Sequence, residues 1–571
     1  MFAMLHPLFV SFVLPLVFLG VGQSADPDPS LPPMAGLIER YRADLGSISR
    51  FHDTPMSSAA LKHSEAFHQH WLDRLGEVDF ESLDADNRAE HVLLSEHLRF
   101  EIDQAAYERA QLAEIDPLVP FVEPLVSMLE APRRMEPIDA RAAAQTLDDL
   151  SSRIEQATSS LAKAEGERDR VLARRAAIQL DRLAWAMRRW YSFYSGYDPM
   201  FSWWCEEPYD ACATALRKHA ETLRETVAGI TAREDPVIGD PVGRDVLLRM
   251  LEHEMIAYSP QELITIAERE YAWCLEQMLA ASRELGFGDD WKAALEHVRD
   301  RHVEPGKQPA MIAEMAHEAV AFLEVRDLIT VPELAKTTWR MSMMSPERQK
   351  VSPYFLGGET IIVSYPTASM EHEDKLASMR GNNRHFARAV VHHELIPGHH
   401  LQNFMLDRYR THRRLFYTPF WIEGWALYWE MRLWDLGFAQ SAQDRIGMLF
   451  WRMHRCARII FSLRFHLGEM TAAEAVDYLV ENVGHLRRNA TAEVRRSVNG
   501  DYPPLYQAAY MLGGLQVRAL HEELVVNGDM TDKQFHDAVL RHGPIPIEML
   551  RAILREEEIA PDAGASWRFA G

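Results

Sequence analysis

Residues 171–194 read VLARRAAIQLDRLAWAMRRWYSFY, with apolar side chains recurring at spacings of three and four, the period of a helix that buries one face. Residues 142–164 repeat the pattern, and comparable stretches fill the chain to about residue 330. Proline-rich breaks at 116–137 and 235–241 punctuate these helices without resembling a flexible linker. From Asn383 the helical pattern resumes and holds nearly to the C-terminus, interrupted around 498–504. The convincing strand signal is 359–365, ETIIVSY, preceded by Gly357 and Gly358 and stopped by Pro366. The expected class is mainly α with a small β element near 359–365. An N-terminal helical half spans 34–330, and a C-terminal half, 331–571, carries the chemistry. No internal period of 20 to 50 residues points to a solenoid, and no glycine-rich phosphate loop is present.

The chain has 571 residues, 47% hydrophobic and 25% charged, which suits a globular body with a sizeable core and excludes wholesale disorder. A formal charge of −23, with no basic stripe interleaved with aromatics, argues against a nucleic-acid partner. Residues 8–22, LFVSFVLPLVFLGVG, followed by Gln23, Ser24 and Ala25, look like a signal peptide over 1–25. The expectation is an exported protein, periplasmic or secreted, with no stable membrane span once the leader is gone. No cysteine follows the apolar run to carry a lipid. Residues 26–33, DPDPSLPP, read as an extended lead-in. Four cysteines are too few for a disulfide framework; Cys205 and Cys212 either close a short loop or remain buried thiols.

The densest chemistry is His392-His393-Glu394-Leu395-Ile396-Pro397-Gly398-His399-His400. Zinc hydrolases need neutral imidazole ligands and a carboxylate beside the metal to take a proton from water. In the common zinc helix the second histidine stands four residues after the first, one turn along the same face. Pro397 occupies that place here. It removes an N–H and clashes with the preceding turn, so the helix stops or kinks near Ile396. Gly398 then permits a turn that returns His399 to the ligand position. His399 is the preferred second ligand; His400 is the alternative ligand or a substrate contact.

The third ligand is expected from Trp421-Ile422-Glu423-Gly424-Trp425-Ala426-Leu427-Tyr428-Trp429-Glu430, where Glu423 lies on an otherwise apolar helix beside a glycine that allows another helix to approach. Glu430, seven residues on, would support the site from behind. The aromatics read as core packing. The groups at 252–254 and 371–373, each Glu-His-Glu, read as surface or structural pairs, because adjacent helical residues point apart.

The run from His393 to Gln402, with Glu423-Gly424-Trp425-Ala426, resembles the bacterial family called domain of unknown function 885. The likeness extends from about residue 35 to 560 and includes Ser259-Pro260-Gln261-Glu262-Leu263 and Tyr510-Met511-Leu512-Gly513. The family in turn resembles helical zinc peptidases with a glutamate ligand. That implies a long cleft between helical halves, hydrolysis of peptide or related amide bonds, and frequent export. It also implies roles for Tyr510, from Gln507-Ala508-Ala509-Tyr510, and for Arg496.

The expected mechanism places one zinc ion on His393, His399 and Glu423, with Glu394 as general base and Tyr510 as oxyanion donor. Arg496 and His400 would help bind the peptide, and 357–365 would offer it a strand edge. Two other readings keep the cluster: a hydrolase of non-peptide amides or esters, and a non-catalytic exported binding protein. Oligomeric state is not legible.

Overall fold

The computed structural model describes residues 32–163, 169–231, 235–349, 355–500 and 502–570. The expected leader and all but the last two residues of the lead-in fall outside them. Among the described residues 72% are helical, and the β structure is one two-stranded parallel sheet. The fold is therefore mainly α. No described helix is long and apolar enough to cross a membrane.

The opening stretch forms the helix Arg170–Tyr194, with Asp169 accepting from the Val171 and Leu172 amides as its cap. Its buried residues, Ala173, Ala176, Ala177, Leu180, Leu183, Met187 and Trp190, keep the three-and-four spacing read from the sequence. They share a core with Ala140–Lys163 and Pro199–Thr222, forming a bundle of their own. Cys205 and Cys212 are buried free thiols on Pro199–Thr222. Seven residues apart on one helix, they stand about 10 Å apart along its axis, too far for a disulfide.

Two further cores each draw on residues from both sides of position 330. At the centre of one of them lies the almost wholly buried helix Ala442–His466, packed on Pro260–Glu284 and Arg384–Glu394. The Pro260–Glu284 helix begins with a complete capping box between Ser259 and Glu262. Pro419–Asp435 and Tyr506–His521 make one of the most extensive helix pairings, and Gly424 meets Gly513 at their crossing. A Cβ on Gly424 would lie 2.5 Å from the Gly513 carbonyl carbon, so the backbones themselves are in contact.

The sheet pairs β1 (Arg340–Met343) with β2 (Thr360–Val363), Arg340 opposite Thr360. The strand is thus shorter than 359–365, and its partner carries no sequence signal. Arg340-Met341-Ser342-Met343 is mostly exposed and lacks β-branched residues. On its other side, Ile362 exchanges both backbone hydrogen bonds with Leu356. At Ile362 both sides of β2 are thus occupied, which corrects the expectation of a free strand edge there.

Candidate metal centre

The motif helix runs Arg384–Glu394, capped by Asn383, and ends two residues before the predicted stop. A cis Ile396-Pro397 bond and Gly398 turn the chain, and a second helix, His399–Leu406, starts at once. Gly398 is required: a Cβ there would sit 1.8 Å from the His393 carbonyl oxygen. Its amide donates to the His392 carbonyl at 3.0 Å. The Trp425 indole donates to the Pro397 carbonyl at 2.8 Å, tying the turn to Pro419–Asp435, the helix that carries Glu423.

This turn brings His393, His399 and Glu423 together, with one ligand atom from each lying within 4.8 Å of the others. Glu423 Oε2 is 3.5 Å from His393 Nε2 and 3.3 Å from His399 Nε2. Their tautomers follow from their other contacts. His393 Nδ1 lies 2.7 Å from Glu430 Oε1, and the carboxylate can only accept, so Nδ1 carries the proton. His399 Nδ1 lies 3.1 Å from Gln402 Oε1. The Gln402 amide nitrogen donates to the Trp421 carbonyl at 3.2 Å, which fixes the amide orientation and makes Nδ1 the donor here too. Both Nε2 atoms therefore present lone pairs toward a carboxylate oxygen that makes no hydrogen bond of its own.

With both rings neutral, three lone-pair atoms converge, an arrangement that is costly to bury unless a cation, whether a metal ion or a proton on an imidazole, sits among them. The electrostatics agree. Burial alone would lower the pKa of His393, yet the Glu423 and Glu430 carboxylates push it up to about 9. His399 is likewise raised against its burial by Glu423. Glu423, whose carboxyl burial would raise, is held well below its usual range by His399 and His393. The pocket thus favours positive charge. Two imidazole nitrogens and one carboxylate oxygen are the donor set of a catalytic zinc site with one position left over.

Glu394 is 9% exposed, and burial raises its carboxyl above the ordinary carboxylate value despite His393 and His399 nearby. The turn before β2 lies directly on it. The Gly358 amide donates to the Glu394 carbonyl at 3.2 Å, and a Cβ on Gly357 would fall 2.2 Å from Glu394 Oε2. The Tyr510 ring stacks on His393 with centroids 6.2 Å apart, while the Arg455 and Arg458 guanidiniums lie 4.5 and 4.7 Å from its centroid. Its hydroxyl makes no hydrogen bond among the described residues, and burial first, then Glu423, holds its pKa above 10.

His400 does not join the group, which corrects the alternative that made it the second ligand. Its Nε2 lies 2.8 Å from the Ala335 carbonyl, so it fastens the helix Glu333–Thr338 to the histidine turn. Arg496 ion-pairs with Glu493 at 3.0 Å and covers the Tyr502 ring. The 252–254 group has a structural member. Glu254 accepts from the Thr418 hydroxyl, which caps the Glu423 helix; the residues at 371–373 are exposed, as expected.

Sequence reasoning missed Tyr506, whose hydroxyl donates to Glu423 Oε1 at 2.5 Å, along with Arg455 and Arg458. It quoted Gln402 without giving it a role. Tyr506 stands one turn before Tyr510, a spacing that could have marked it.

No curated protein matches the chain. A predicted lipoprotein of unknown function from Shewanella oneidensis has a similar solved structure, with a TM-score of 0.69 at 14% identity over 92% of this chain and 100% of that one. Another, from Colwellia psychrerythraea, gives 0.59 at 16% identity over 92% and 98%. At these identities the likeness is one of fold. The profile of the family described as bacterial protein of unknown function, DUF885, matches residues 41–554, most of the sequence that builds the fold and all of the histidine–glutamate site. The chain therefore belongs to the DUF885 family.

Proposed function

We propose that this protein is an exported zinc-dependent hydrolase of peptide bonds. The observation that carries the reading is the convergence of His393 Nε2, His399 Nε2 and Glu423 Oε2 within 4.8 Å of one another, beside a buried carboxylate whose pKa is raised. These three residues would hold one zinc ion, which would polarise a water and the scissile carbonyl when bound.

The protein's own groups account for the remaining steps. Glu394, raised toward the range of a useful base, takes the proton from the attacking water and passes it to the leaving nitrogen. Tyr510, its hydroxyl protonated and unspent, donates to the developing oxyanion. Glu430 and Gln402 hold the two imidazoles in the required tautomers. The apolar run at 8–22 supports export, and the lipoprotein description of both similar structures fits a place in the cell envelope.

Elemental analysis of the purified mature protein tests the metal, and a peptide-library digest beside a panel of small amides and esters tests the substrate. One zinc per chain with peptide products is expected. Turnover of the small amides or esters alone would replace peptide hydrolysis with the non-peptide reading. Absence of zinc after reconstitution would leave the binding-protein reading.

A further inference from the structure

Resting on the metal reading above, we propose that Tyr506 is a positioning residue that fixes Glu423 as a one-oxygen ligand. Tyr506 opens the helix Tyr506–His521, and its amide donates to the Pro503 carbonyl at 2.9 Å. The Pro503-Pro504 pair, separated from it by Leu505, restricts the approach of the backbone. Its ring lies between those of Tyr502 and Tyr510, with centroids 4.7 and 5.8 Å away. So held, the phenol reaches Glu423 Oε1 at 2.5 Å. A phenol O–H donates and a carboxylate only accepts, so this bond occupies Oε1 and leaves Oε2 as the oxygen turned toward both imidazoles.

A carboxylate with both oxygens free can rotate or chelate through both. Tyr506 removes those alternatives before a cation arrives, as a preorganised outer contact does at metal ligands generally. Tyr510 stacks on His393 instead, so the two tyrosines of one helix divide the work: one fixes a ligand and the other faces the reaction.

The test is the zinc affinity of the full chain, measured by competition with a chromophoric chelator and joined to the visible spectrum of the cobalt-substituted protein. Tyr506→Phe keeps the ring and deletes the donor. Its affinity is expected to fall about tenfold, with an altered cobalt spectrum and a metal-free protein that still folds, at a lower melting temperature because Glu423 Oε1 loses its donor. Tyr502→Phe, which touches Tyr506 only through its ring, should leave both readouts alone. Should Tyr506→Phe not fold, Tyr506→Met, which also lacks the donor, carries the same expectation. Wild-type affinity and spectrum in Tyr506→Phe, or equal losses in Tyr502→Phe, would overturn the assignment. A wild-type chain that takes up no metal would instead bring down the reading of the centre itself, and this inference with it.

Discussion

Among the described residues two groups of histidines and carboxylates lie close enough together to hold a metal ion: His393, His399 and Glu423, and, elsewhere in the fold, His521, Asp532 and His536. Their hydrogen bonds separate them. In the second group His536 Nδ1 donates to the Leu328 carbonyl at 2.7 Å and Nε2 meets the Tyr428 hydroxyl at 2.8 Å, which leaves that ring no lone pair to offer. His521 Nε2 pairs with Asp532 at 2.8 Å, and Asp532 also takes Arg432 at 2.8 Å. Burial pushes His536 down to about 3 and lowers His521, whereas the carboxylates of the first group raise both of its histidines. Proximity of ligand types is therefore a weak signal; lone pairs left over after every other contact is counted are a strong one.

The contrast can be broken most directly by deletion. His393→Ala with Glu423→Ala should abolish zinc binding in elemental analysis, while His521→Ala with His536→Ala should leave it intact; the reverse result would exchange the roles of the two groups. Next in size, Glu394→Gln should lower peptide hydrolysis about a thousandfold with metal content unchanged, and wild-type turnover would remove Glu394 from the mechanism.

His536→Ala should cost about 3 kcal/mol in denaturant unfolding, because a buried hydroxyl and a carbonyl lose their partner. A negligible cost would show that the second group is not a structural network. Glu430→Gln should weaken zinc binding about 10- to 100-fold through the orientation of His393, and unaltered affinity would remove that support.

The smallest effect is a difference in slope against pH in the metal-free protein. His536 has a folded value of about 3 against an ordinary 6.5, so its contribution to stability is full above 6.5 and is lost as pH falls toward 3. His393, raised to about 9, behaves oppositely: its contribution is full below 6.5 and is lost as pH rises through 9. Replacing His536 with Gln should flatten the acid side of the stability curve alone, which denaturant titrations at stepped pH would register.

The helical class was legible because periodicity survives burial. Residues 171–194 keep their apolar positions at the core, and Ser259 caps a helix as its Pro-x-Glu context implies. The histidine turn was legible because Pro397 and Gly398 leave the backbone few choices, and the glycine beside Glu423 does meet a neighbouring helix. What was not legible depends on contacts remote in sequence. His400 stays open as an alternative to His399 until Ala335, 65 residues away, accepts its ring. Tyr506 looks like any aromatic at a helix start until its hydroxyl reaches Glu423, 83 positions earlier. β1 was invisible because it is paired rather than patterned.

The meeting of Gly424 and Gly513 has a mechanical meaning. Two helices whose backbones touch at a pair of glycines cannot slide without a clash, so Pro419–Asp435 and Tyr506–His521 behave as one stiff lever. Glu423 rides on one arm and Tyr506 and Tyr510 on the other. Motion near the site falls to parts hung around this lever, such as the turn over Glu394, and not to the lever itself. A single methyl group added at either glycine would misalign ligand and oxyanion donor together.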